Sequence, residues 1–316
     1  MKLVLAGGTS HLGRILARSY RQRGHEVVVL SRRRSAGPEK VGWEGRTVGP
    51  WSEALDGADA VVNLAGRSVN CRYNRKNLRE MLDSRVDSTR AVGRAIEAAA
   101  HPPRLWLQMS TATIYAHRYD APNDEATGRI GGDEPDAPAH WRASVEIARA
   151  WENAQTEAQT PSTRKVALRS AIVMSPEPGG VFDILVNLTR FGLGGPIAGG
   201  RQFVSWIHDR DFVRAVDLLL ERGDIDGPVN LAAPSPLPQR AFMAALRSAV
   251  GVPIGIGATA WMFEIAAFVH RTETELLLKS RRVVPGRLLE AGFEFEYPSW
   301  PEAARDLVGR WRERKV

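Results

Sequence analysis

Lys2–Arg34 reads KLVLAGGTSHLGRILARSYRQRGHEVVVLSRRR, and its pattern decides the fold. Lys2–Ala6 is an apolar run of strand length, cut short by Gly7, Gly8, Thr9 and Ser10. From His11 to Arg23 the apolar positions Leu12, Ile15, Leu16 and Tyr20 recur at helical spacing. Gly24 stops that helix, and Glu26–Leu30 is a second apolar run. Strand, glycine turn, helix and strand in this order form the βαβ unit that takes dinucleotides.

The turn has a physical task. The first helical turn leaves backbone N–H groups without partners, and the helix dipole adds positive charge there. A pyrophosphate reaches that end only where no side chain blocks it. Gly7 permits the tight turn and Gly13 lets helix and strand pack closely. The spacing is Gly7-x-x-Ser10-x-x-Gly13, with serine at the middle glycine position; Thr9, His11 and Leu12 complete the loop. At the end of the second strand stand Ser31, Arg32, Arg33 and Arg34, where an NAD site carries a carboxylate. Guanidinium groups suit a ribose 2′-phosphate, so the expected cofactor is NADP(H).

The 316 residues are 43% hydrophobic and 25% charged, ordinary values for a globular protein with a sizeable core. One cysteine, Cys71, excludes an internal disulfide and fits a reducing, cytoplasmic location. A strand beginning at Lys2 leaves no room for a signal peptide, and no apolar run spans a bilayer. The net charge of +7 is spread along the chain without a zinc-finger spacing, RNA-recognition motif or basic tail. It favours an anionic cofactor over nucleic acid. No histidine pairing has metal-ligand spacing, so no metal is expected. Neither a Gly-x-Ser-x-Gly elbow nor a phosphate loop ending in Gly-Lys-Ser/Thr occurs, which argues against those hydrolases and NTPases.

Further along, Val41–Val48 is expected to hold a short strand, and Asp59–Leu64 a fourth strand whose end, Leu64-Ala65-Gly66, opens onto the cofactor crevice. Asn74–Ala100 reads as a helix with a buried stripe of Leu78, Leu82, Val86, Thr89, Val92 and Ile96. Glu80 and Arg85 on it are either cofactor contacts or an exposed ion pair. Arg104–Ser110 is the fifth strand, running into Thr111 and Tyr115; hydroxyls at the carboxyl end of a parallel strand lie where such sheets do chemistry. His117–Ala139 is a long binding-type loop with solvated Asp124 and Glu125, His140–Gln159 a helix and Lys165–Met174 the sixth strand. After Pro176–Gly180 come a helix at Val181–Phe191, the glycine-rich loop Gly192–Gly200 and a strand at Phe203–Ile207. Asp209 or Asp211 opens the next helix as N-cap or first-turn carboxylate. Pro228–Ala232 is the last strand, and Gln239–Val250, Trp261–His270 and Pro285–Ala291 are helices.

With these segments in view the chain resembles the extended short-chain dehydrogenase/reductases, and within them the atypical YfcH-type, epimerase-like branch. The matching stretches are AGGTSHLGR (Ala6–Arg14), VVVLSR (Val27–Arg32), DAVVNLAG (Asp59–Gly66), Ser84-Arg85, LRSAIVM (Leu168–Met174), RFGLGGPIAGGRQFVSWIHDRDF (Arg190–Phe212) and VVPGRLLEAGFEFEYP (Val283–Pro298). The resemblance implies an α/β, Rossmann-like doubly wound parallel sheet over residues 1–175. It also implies an interleaved substrate-side region over 176–316, with a branch-specific segment near 255–300. It implies NADP(H) held by Ser31 and Arg32, by Leu64 and Ala65, and by Glu80, Arg85 and Val173. Standard members carry Tyr-x-x-x-Lys on the helix after the fifth strand, and this chain has none. Alignment on that helix puts Arg142 and Glu146 in those places and Thr111 in that of the partner serine. Tyr115 is the candidate substitute proton donor. The expected function is an NADP(H)-dependent oxidoreductase or epimerase-like enzyme acting on a small molecule, as a monomer or homodimer. The alternative is a non-catalytic NADP(H)-binding redox sensor or scaffold.

Overall fold

The computed structural model describes residues 1–32, 40–135, 138, 141–257 and 275–314. The strands are β1 (Lys2–Ala6), β2 (Glu26–Ser31), β3 (Lys40–Gly42), β4 (Ala60–Asn63), β5 (Leu105–Thr111), β6 (Arg164–Ser170), β7 (Ile172–Met174), β8 (Phe203–Val204), β9 (Trp206–His208), β10 (Gly227–Leu231) and β11 (Leu237–Pro238). The first six α-helices are α1 (His11–Gln22), α2 (Arg75–Ala98), α3 (Trp141–Thr156), α4 (Val181–Arg190), α5 (Asp209–Glu221) and α6 (Gln239–Val250). Two short helices follow, α7 (Glu275–Leu278) and α8 (Gly286–Glu290), and then α9 (Trp300–Glu313). The expected helix at Trp261–His270 lies outside the described residues. No described helix is long and apolar enough to cross a membrane.

Seven strands form one parallel sheet in the order β10-β6-β5-β4-β1-β2-β3. Runs such as Leu3-Val4-Leu5 and Val61-Val62 are buried on both faces, as a sheet covered by helices requires. The order reverses between β1 and β4, and a crevice at that switch point is where such sheets bind ligands.

Two expected strands are each divided. Lys165–Met174 breaks at Ala171, whose N–H donates to Leu231 O at 2.9 Å; β7 then leaves the main sheet and pairs with β9. Phe203–Ile207 likewise splits, because β8 pairs with β11 and β9 with β7. The sheet is also not confined to residues 1–175, since β10 returns to its edge beside β6. The stripe on α2 is rotated: Leu78, Leu82 and Val86 are half-buried, while Met81, Arg85 and Ser88 turn inward.

A second core gathers around Trp206 and Trp300, the latter stacked on Phe242 at 3.9 Å and 10°. Trp300 opens α9, an element the sequence reading omitted. Its signal is present: Pro301 in the first turn, then Ala303, Ala304, Leu307, Val308 and Trp311 buried at helical spacing.

His208 is the N-cap of α5, with Asp209 and Asp211 as first-turn carboxylates. Its Nδ1 accepts from Arg210 N (3.1 Å) and its Nε2 lies 3.0 Å from Asp306, an arrangement a neutral ring satisfies. Burial holds its pKa below the ordinary histidine value, although Asp209 and Asp306 favour the cation. A depressed folded pKa means stability is complete above about pH 6.5 and is lost as pH falls, because the unfolded chain takes the proton more readily. Thermal melts should therefore show a smaller drop between pH 7 and 5.5 in His208→Gln than in wild type. An equal drop would count against this assignment.

Candidate functional site

The site is assembled where β1 turns into α1. Gly7 has φ +73°, and a Cβ there would sit 2.9 Å from Ala65 N and Cα, so the turn lies directly on the strand end after β4. Gly8 is backed by Leu5, and Gly13 touches the Gly8 backbone so closely that an added Cβ would be 2.4 Å from Gly8 O. Ser10 is the N-cap of α1: its Oγ accepts from Gly13 N at 3.2 Å. Thr9 is exposed above the turn, and Leu12 packs into the core below. His11 sets its ring against Gly180, and burial lowers its pKa.

Gly7 N donates to Leu30 O at 3.0 Å, which fixes the turn beside the end of β2. There Ser31 is buried and Arg32 exposed, with no carboxylate paired to Arg32 among the described residues. Arg33 lies outside the described residues. On the other side of the switch point, Asn63 Oδ1 accepts from Ala65 N (3.1 Å) and its amide donates to Gln108 (3.0 Å), so the Leu64-Ala65-Gly66 backbone is held open and firm.

Glu80 and Arg85 do not act together. Glu80 faces Arg67, with Nη1 3.2 Å from Oε2. Arg85 is buried, donates to Met81 O at 3.0 Å, lies over the Trp151 ring at 4.8 Å and lines Gly66. No carboxylate pairs with it among the described residues, and burial pushes its pKa down to about 10. A buried cation without a counter-charge calls for an anion from outside the chain. Val173, in β7, is buried beside Ile207 in register.

The catalytic candidates separate. Thr111 is half-buried at the end of β5, its Oγ1 accepting from Thr113 N at 3.1 Å. Tyr115 does not open onto the crevice; this corrects its expected role as proton donor. The residue is 2% exposed, and its hydroxyl lies between Asn230 Oδ1 (2.9 Å) and Arg169 Nη1 (3.0 Å). Burial raises its pKa, with Arg169 opposing. Arg169 in turn forms a two-point ion pair with Glu152, at 2.9 and 2.8 Å. Glu125 is not a solvated loop charge either: it accepts from Asn230 N at 2.7 Å, and burial raises its pKa.

Arg142 and Glu146, which the resemblance puts in the places of the tyrosine and lysine, are both exposed. Arg142 pairs with Asp133 at the surface. Stepping back from Glu152 by fours along α3, the sheet-facing positions are Ala148 and Ser144, both buried. The sequence carried this signal in the distance of each residue from Glu152, once Glu152 is known to face Arg169.

Known proteins resemble this chain over nearly its whole length. The model of the NAD dependent epimerase/dehydratase family matches residues 3–232, and a domain of unknown function, DUF1731, matches residues 258–307. The chain is 32% identical to the epimerase family protein SDR39U1 of Bos taurus over 98% of this chain and 100% of that protein. It is 27% identical to the epimerase family protein YfhF of Bacillus subtilis, over 98% of each. Among solved structures, human SDR39U1 (isoform 2) with NADPH superposes with a TM-score of 0.84 at 29% identity, covering 98% of this chain and 99% of that one. A nucleoside-diphosphate sugar epimerase from Corynebacterium glutamicum gives 0.77 at 25% identity, covering 98% of this chain and 58% of that one. A glycine turn set against Ala65 at the switch point of a parallel sheet, matched over nearly the whole chain by these relatives, places this protein in the NAD dependent epimerase/dehydratase family of extended short-chain dehydrogenase/reductases.

Proposed function

We propose that the protein is an NADP(H)-dependent oxidoreductase or epimerase-like enzyme acting on a small molecule. The residues present fit the cofactor. Backbone at Gly7–Gly13, covering Thr9, Ser10, His11 and Leu12, is free of bulk at a helix N-terminus and would hold the pyrophosphate. Ser31 and Arg32, with Arg33 following in sequence, would hold the 2′-phosphate. Leu64, Ala65, Gly66 and Val173 would line the nucleotide, and buried Arg85 would meet its remaining negative charge. Glu80, paired with Arg67, would act at the rim. Bound there, NADP(H) supplies hydride exchange. Thr111 is the hydroxyl at the strand end suited to orienting a substrate oxygen.

The observation that carries this reading is Ser31-Arg32 at the end of β2, beside the glycine turn and without a carboxylate partner among the described residues. A charge-assisted hydrogen bond contributes about 1.5–3 kcal/mol, or roughly ten- to a hundredfold in affinity. Calorimetric titration should show NADPH bound more tightly than NADH. Arg32→Ala should weaken NADPH by that factor and NADH less than about threefold. Equal affinities in wild type would sink the reading. The non-catalytic alternative is favoured by one observation: no titratable group at Ser144 or Ala148, the sheet-facing positions of α3.

A further inference from the structure

His11 is the first residue of α1, the helix whose N–H groups the glycine turn leaves open. Its ring packs against Gly180, the N-cap of α4, where an added Cβ would sit 2.8 Å from Cε1 and 3.1 Å from Nε2. Both ring nitrogens are buried, and among the described residues neither has a hydrogen-bond partner. A neutral imidazole carries one N–H donor and one acceptor, so both are left unsatisfied here. The charged groups around the ring are engaged elsewhere. Glu177, in the loop before α4, pairs with Arg18 of α1 at 2.6 Å. Asp209, at the start of α5, accepts from both Nη atoms of Arg310 at 2.8 Å and lies 3.2 Å from His208. Arg14 donates back to Thr9 O at 3.0 Å. Burial is the largest influence on the ring and holds its pKa below the ordinary histidine value. Arg14 and Arg18 also disfavour a proton there, while Glu177 and Asp209 favour one.

A buried donor without an acceptor is costly, and a native structure that keeps one calls for a reason. The ring is borne by the residue that starts the helix on which a pyrophosphate would sit. We propose that the His11 side chain is a cofactor-responsive group: it takes up a proton when the dinucleotide's pyrophosphate settles on α1, and its charge then faces that anion. The assignment rests on the NADP(H) reading above. The step is an exchange with solvent in which one proton passes from the buffer to a ring nitrogen; one N–H bond forms and no other bond in the protein or cofactor changes. In the free protein the ring gives up its proton below the ordinary histidine range, and beside a phosphate charge it keeps that proton to a higher pH. Binding therefore tightens as pH falls through the window between the two and levels off below it. At a separation of about 6 Å and an effective dielectric of about 20, one phosphate charge favours the imidazolium by about tenfold or more.

The test needs no identified substrate. Full-length wild type, His11→Phe and His11→Gln are titrated calorimetrically with NADP⁺ between about pH 5.5 and 8.5, and each variant is checked by thermal melt. His11→Phe keeps a ring against Gly180 and removes both nitrogens. The 2′-phosphate titrates near about pH 6 in every variant alike, so the ratio of wild-type to variant affinity is the quantity read. That ratio should be near one at the alkaline end and rise to about tenfold at the acid end. His11→Gln supplies the same comparison if His11→Phe fails to fold. NAD⁺, which lacks the 2′-phosphate, needs no variant: its binding to wild type near about pH 6.5 should take up a proton, seen as a binding heat that changes with the ionisation enthalpy of the buffer. A ratio that stays constant with pH, or NAD⁺ binding without proton uptake, overturns the proposal and leaves the cofactor reading intact. Wild type that binds neither nucleotide at any pH removes the cofactor reading, and this assignment with it.

Discussion

Gly13→Ala is expected to destabilise the protein by about 1–3 kcal/mol and to weaken NADPH binding by more than tenfold. The Cβ would meet Gly8 O at 2.4 Å and Gly8 C and Cα at 2.5 Å, all backbone atoms that no rotamer change can move aside. Alanine is worth about 1 kcal/mol more than glycine in a helix interior, so propensity alone predicts stabilisation. The clash outweighs that gain, and relief requires the glycine turn to shift. Gly309→Ala in α9 is the matched control. Its Cβ meets nothing within 4 Å, so a gain of up to about 1 kcal/mol is expected there. Thermal melts and NADPH titration of the two variants check this. A Gly13→Ala protein that melts and binds like wild type would show that turn and helix are not in close contact.

The second large effect is expected at the pair under the site. Among the described residues, Arg169→Met leaves Glu152 with only the Ser110 hydroxyl, in a place where the two side chains are 11% and 14% exposed. Burial works against the Arg169 charge, yet Glu152 raises its pKa above the ordinary arginine value. Losing one member of a buried pair costs about 3–5 kcal/mol, whereas replacing both by apolar groups of similar size is often near neutral. The double variant Arg169→Met/Glu152→Leu should therefore recover at least half of the loss. Denaturation of the two singles and the double gives the coupling directly. Additive losses would mean that the ion pair does no more than pack.

These residues also show what the sequence makes legible. β1, α1 and β2 are readable because strand and helix periods are local, and the same glycines announce the turn between β1 and α1. The break at Ala171 is not readable, because Ser170-Ala171-Ile172 continues an apolar run and only pairing with Leu231 and Trp206 divides it. Arg85 looks like a surface ion-pair partner until its neighbours are known; an absent carboxylate has no sequence signature. Tyr115 and Glu125 share one fate: each polar tip meets Asn230, more than a hundred residues away. Which face of α3 Arg142 and Glu146 occupy depends on Glu152 meeting Arg169, a contact that lies outside the helix's own spacing. α9 is readable from its spacing, with Pro301 in its first turn and a buried stripe at helical period.

Asn230 has one more consequence. Its amide donates to Val284 O, and Val284 N donates to Asn123 O, so edge strand β10 is tied to segments from both before and after it in the chain. Until β10 has been synthesised, the β6 edge stands open, with the residues of the glycine turn already made. A prematurely terminated product thus carries its own flag of incompleteness, an open strand edge of the kind that chaperones grip.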